Sequence, residues 1–251
     1  MKRIISVFMT VLLMFMVISP VKTYAKSYNV SGTDLTITVD DTVWYVFTRD
    51  NLANNPELDE LGVDYNYLND YFHSNFIYMD AVVIYENGAT TEFFIRKTDE
   101  DVGVVNLANC KGELIGEIGD SLADKFGADG YSILNTDYKF IKLNYFDPNL
   151  EYYAVEYYTI INKHPYTFTF QSPVEFTEWE YEEFDTIIKS IVFDIDTSLK
   201  EDSFMDTLVA KALTGALSGA VIGGVGAAIG KLKKKMQKNT EEDINNITEP
   251  K

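Results

Sequence analysis

A hydrolytic site needs a nucleophile, a base within hydrogen-bond reach and a third group that orients the base. The 251 residues hold one cysteine, Cys110, and two histidines, His73 and His164, and no Gly-x-Ser-x-Gly elbow. His73 falls at an expected helix end and His164 in an expected turn before Pro165, positions where a histidine is solvated or caps a helix. Cys110 reads as a small buried apolar residue, and a lone cysteine leaves no intramolecular disulfide and no Cys-rich metal site. No acid, base and nucleophile set assembles from these residues, so the sequence points away from an enzyme and from a cofactor.

Carboxylates raise a second chemistry, because hard oxygen ligands suit calcium. They cluster at Asp40 and Asp41, at Asp99, Glu100 and Asp101, and along Glu178, Glu180, Glu182, Glu183 and Asp185. None has the Asp-x-Asp-x-Asp-Gly spacing of a calcium loop. The first two clusters read as turns. The third reads as a solvated helix face whose negative charge suits the N-terminal end of the dipole. No metal site is expected. Residues 26–200 carry 32 acidic and 11 basic side chains, a net charge of −21 against −18 for the whole chain. Such a surface repels phosphate, which argues against nucleic acid as a partner.

The elements that would position these groups follow from the hydrophobic pattern, whose period switches repeatedly between two and about 3.6, as in an α+β domain with an antiparallel sheet flanked by helices. Residues 34–39 and 42–48 are β-branched and aromatic, and the Asp40-Asp41 pair between them predicts a hairpin. Asp64 caps a helix with Tyr65, Leu68, Tyr71 and Phe72 on one stripe, ending near His73. Residues 76–86 and 90–98 form a hairpin around Asn87-Gly88, where both turn residues tolerate positive φ. A helix over 107–126 carries Leu114, Ile115, Ile118, Leu122 and Phe126 and stops at Gly127. Strands over 131–135, 138–146, 152–161 and 166–171 form a meander, with turns at 147–149 and 162–165. A helix over 177–190 opens on a Thr177/Glu180 capping box, and 191–195 returns as a short strand. Tyr152, Tyr153, Tyr157, Tyr158, Tyr166, Phe168 and Phe170 lie on adjacent strands. Alternation sends about half of them away from the core, onto a face that a helix covers or that serves as a contact surface.

This order over 34–196 resembles the PsbP-like α/β/α sandwich of secreted Gram-positive bacterial proteins. The residues that carry the resemblance are Leu35 to Val46 as the opening hairpin, Asn75 to Val83 as the strand after the first helix, and Tyr166-Thr-Phe-Thr-Phe-Gln-Ser172 leading on to Ile187-Ile-Lys-Ser-Ile191. The resemblance covers about two thirds of the chain. It implies the fold and a non-enzymatic binding or assembly role, and supplies no ligand set.

The two ends carry targeting signals. Lys2 and Arg3 precede an uncharged apolar run over 4–18, Ser19-Pro20 breaks it, and Thr23-Tyr24-Ala25 supplies a cleavage site, so 1–25 is expected to be a secretory signal peptide. Residues 26–197 are then an extracytoplasmic domain and 198–211 a juxtamembrane linker. Residues 212–230 hold no charge, and at about 1.5 Å per residue they match a bilayer core as a single transmembrane helix. Lys211 can snorkel at the outer edge, while Lys231, Lys233, Lys234 and Lys235 place the C-terminal end inside, followed by a polar cytoplasmic tail to 251. Gly215, Gly219 and Gly223, and then Gly226 and Gly230, recur every four residues, a face suited to close helix packing. The sequence therefore predicts a membrane-tethered binding or assembly module that forms a homo-oligomer or pairs with another membrane protein. The alternative is a secreted protein whose glycine-rich helix enters a target bilayer.

Overall fold

The computed structural model describes residues 25–200, an α+β body of two antiparallel sheets with helices packed on them. Strands β1 (Ala25–Val30) and β2 (Leu35–Asp40) join the short β10 (Val192–Phe193) in a small sheet ordered β1-β2-β10. The large sheet contains β3 (Tyr45–Thr48), β4 (Ile77–Ile84), β5 (Thr90–Lys97), β6 (Tyr131–Asn135), β7 (Lys139–Asp147), β8 (Tyr152–Ile161) and β9 (His164–Ser172). Its order is β3-β4-β5-β9-β8-β7-β6. Helices α1 (Pro56–Leu61) and α2 (Tyr65–Ser74) cover one end of one face and α3 (Gly112–Phe126) covers the other end. On the opposite face lie α4 (Glu178–Lys189) and the small sheet.

The expected hairpin over 34–48 is corrected by this arrangement. β2 pairs with β1 and β10, whereas β3 pairs with β4 in the other sheet. The Asp40 turn is real: its carbonyl accepts from Val43 and Trp44, and its Oδ1 accepts from the Thr42 amide and hydroxyl. The turn carries the chain from one layer to the next, because Leu35, Ile37 and Val39 face the same apolar cluster as Trp44 and Val46. β1 was not legible, since only Val30 of its six residues is buried. The expected single sheet thus becomes two.

Local chemistry accounts for most other boundaries. The Asp64 Oδ1 accepts from the Tyr67 amide at 2.9 Å and starts α2, which buries Leu68 and Phe72 but leaves Tyr65 exposed. Residues 107–109 form a 3₁₀ turn, so α3 begins only at Gly112; it ends at Gly127, whose φ of 68° is costless without a Cβ. At 87–88 only Gly88 is left-handed, and Asn87 works through its side chain, accepting from the Ala89 amide at 2.9 Å. The turn with two left-handed residues is Asn162-Lys163, with φ of 51° and 70°, and His164 and Pro165 are already in β9. The Thr177/Glu180 capping box opens α4 as expected.

The core between the two faces is aromatic. Phe93 stacks on Phe170 at 4.3 Å between centroids, Phe170 stacks on Phe184 of α4 at 4.0 Å, and Trp44 meets both Phe93 and Phe170 edge-on. Each such ring contributes roughly 1.5–3 kcal/mol on burial. Of the two readings of the aromatic strands, a covered face or an exposed contact surface, the covered one holds for these residues. Tyr157, Tyr158, Tyr166, Phe168 and Phe170 are all buried, because layers cover both faces of β8 and β9.

Candidate functional site

Two features stand out, one buried and one open. The buried one lies on the face that carries α1, α2 and α3. Two separate apolar clusters occupy its ends, one beneath α1 and α2 and the other beneath α3. Between them β9 turns Thr167, Thr169 and Gln171 to this face, and the neighbouring strands add Glu92, Arg96 and Glu156; all are buried. Arg96 Nη2 lies 3.5 Å from Glu156 Oε2, and the Thr169 hydroxyl contacts both at 3.4 Å. Gln171 Nε2 donates to Glu92 Oε2 at 2.8 Å. Burial pushes the Glu156 carboxyl up to about 7, opposed by Arg96, Thr169 and Lys125. Burial likewise lowers the Arg96 guanidinium, opposed chiefly by Glu156.

The open feature is a cleft of about 510 Å³ between α4 and the turn after β2. Ser190 joins its two walls: its hydroxyl accepts from the Thr38 amide at 3.0 Å and donates to the Thr38 carbonyl at 3.2 Å. From there Ile187, Thr186, Glu183, Glu182 and Trp179 line one wall, recurring on one face of α4 at helical spacing. Asp40, Val43 and Trp44 form the other wall. Both of the chain's tryptophans therefore line this cleft. Trp44 is buried and donates Nε1–H to Glu183 Oε1 at 3.2 Å, whereas Trp179 is 63% exposed and Val43 46% exposed. Burial raises the Glu183 carboxyl, and the Trp44 hydrogen bond opposes that rise. The cleft volume falls within the range of small-ligand pockets, about 300–1,000 Å³. Asp40, Glu182 and Glu183 are its charged lining residues.

The remaining sequence candidates have local roles. His73 Nδ1 bonds the Asn69 carbonyl at 2.8 Å at the end of α2, and His164 Nδ1 bonds the Glu100 carbonyl at 3.3 Å. Cys110 is buried. Asp41 pairs with Lys26 at 3.5 Å, and Asp101 caps its own turn through Gly103. The acidic face of α4 is only partly solvated. Glu180 accepts from Tyr85 at 2.8 Å, and Asp185 accepts from Tyr157 at 2.6 Å and Lys142 at 2.7 Å. Among the described residues no group of three or more His, Cys, Asp or Glu is placed to hold a metal ion.

Of the expected signal peptide over 1–25, residues 1–24 lie outside the described residues, while Ala25 is the first residue of β1 and pairs with Asp40; Lys211, the glycine series from Gly215 to Gly230, Lys231, Lys233, Lys234, Lys235 and the tail also lie outside them. Among the described residues no helix is long and apolar enough to cross a membrane.

Sequence reasoning missed the cleft, although one signal was present. Trp179 is a large apolar residue on the polar side of a helix whose buried stripe is Phe184, Ile187 and Ile188. The charged layer left a weaker trace, since Thr-Phe-Thr-Phe-Gln reads as a half-solvated strand.

No protein-family model matches the chain, and no curated protein matches it. Among solved structures it is similar to the solution structure of cyanobacterial PsbP (CyanoP) from Synechocystis sp. PCC 6803. The two share 11% identity at a TM-score of 0.30, over 70% of this chain and 96% of that one. This is a likeness of fold at most, and no residue role is carried across from it.

Proposed function

We propose that residues 26–197 are an extracytoplasmic binding and assembly module, delivered by the 1–25 signal peptide and tethered by a single span over 212–230. The observation that carries the binding role is the acidic cleft of about 510 Å³, whose lining includes an indole that is 63% exposed and an exposed valine. An isolated surface apolar residue is ordinary, but two that line one recess form the kind of anchor that macromolecular contacts use. The tether rests on the length of the uncharged run and on the lysines that follow it. Within the membrane, the Gly215, Gly219, Gly223, Gly226 and Gly230 face pairs the chain with a copy of itself or with another membrane helix.

The test is site-specific crosslinking in intact cells. A photoreactive residue at position 179 or 43 is expected to give a discrete adduct, and the same residue at Glu117 on α3 is expected to give none. Equal yields from all three positions, or no adduct from any, would remove the binding role from the cleft.

A further inference from the structure

We propose that the partner of the tryptophan cleft is a basic, amphipathic protein segment, with apolar side chains seated between Trp179 and Val43 and its lysines or arginines facing Asp40, Glu182 and Glu183. The inference rests on the binding role proposed above and names the chemistry of its occupant.

Three observations point the same way. The lining combines apolar surface from Trp44, Trp179, Val43 and Ile187 with three carboxylates and no basic side chain. Glu182 is exposed and Glu183 only half-buried, so both can meet a cation without large movement. The Glu183 oxygen that accepts from Trp44 is held at a fixed place on the cleft wall, which spares an incoming cation the cost of ordering it. An indole face beside carboxylates also suits a guanidinium or ammonium through cation–π attraction. Cleavage after Ala25 would add the Lys26 α-ammonium near one rim, which leaves the carboxylates in excess. The surrounding domain, at −21 over 26–200, steers a basic partner inward and turns an acidic one away.

A general negative field alone would attract any basic peptide, so the experiment must separate field from site. The mature chain, residues 26–251, in detergent is titrated with a dye-labelled peptide that alternates lysine with leucine and phenylalanine, followed by anisotropy. Saturable binding is expected. It should weaken at least tenfold in W179A and in E182K, and stay within twofold in E113K, which makes the same charge change at an exposed position of α3. A peptide with glutamate for lysine, or with serine for leucine and phenylalanine, is expected to bind at least tenfold more weakly. The inference is overturned if E113K and E182K weaken binding equally, if W179A has no effect, or if the lysine peptide does not bind. Peptide failure combined with a persisting adduct from position 179 in cells would reject the basic partner alone. Loss of both would reject the binding role as well.

Discussion

Arg96 on β5 reaches Glu156 on β8 by crossing the intervening strand β9, with the Thr169 hydroxyl beneath the 3.5 Å ion pair and in contact with both partners. The pair is fully buried, and burial lifts the Glu156 carboxyl from the ordinary glutamate range to about 7. The folded chain therefore holds this proton more tightly than the unfolded chain does, where a glutamate titrates near about 4.3. By linkage, the contribution of Glu156 is fully present below the unfolded value and is lost as pH rises toward about 7, with a slope of up to about 1.4 kcal/mol per pH unit. Glu156→Gln is expected to match the parent below about pH 4, to gain on it steadily from there up to about pH 7, and to gain no more above that. Urea midpoints measured across that range check this.

Gly119 on α3 lies against the Tyr131 ring of β6, and a Cβ there would sit 2.7 Å from ring atoms. Gly119→Ala is therefore expected to destabilise by about 1–3 kcal/mol despite the better helix propensity of alanine. In a Tyr131→Ala background the same change should cost nothing or stabilise slightly. The double-mutant cycle reads the difference as a coupling energy, and a coupling near zero would show that the ring is not the obstacle.

Lys163 is held at a φ of 70° in the two-residue turn between β8 and β9, where a side chain is strained. Its ion pair with Asp101, at 3.7 Å with Asp101 exposed, contributes little against that strain. Lys163→Gly is expected to be as stable as the parent or up to about 1 kcal/mol more stable, after the entropic cost of glycine in the unfolded chain is counted. Lys163→Val should lose stability, because a β-branched residue fits this conformation worst. Thermal melts should rank the three Gly, Lys, Val.

These positions also show which parts of the fold could be read from sequence. Elements fixed by their own residues were legible: the Asp64 cap, the Gly127 stop, the Thr177/Glu180 box and the β6-to-β9 meander. Features set by what lies opposite were not. Asp40-Asp41 marks a turn, but whether β2 and β3 then pair or separate into two layers depends on the shared aromatic core beneath them. Thr167, Thr169 and Gln171 have the composition of a solvated strand face, and only tertiary packing buries them beside Arg96 and Glu156. The cleft draws on residues more than 130 positions apart, Trp44 and Glu183, joined by one hydrogen bond. No local pattern encodes that meeting.

The most direct measurement of the central claim is thiol labelling of intact cells with a membrane-impermeant maleimide. Cys110 is buried and gives little background. Trp179→Cys is expected to label on intact cells, while Gln237→Cys in the tail labels only after permeabilisation. Labelling at 179 only after permeabilisation would contradict an outward-facing cleft on a tethered body.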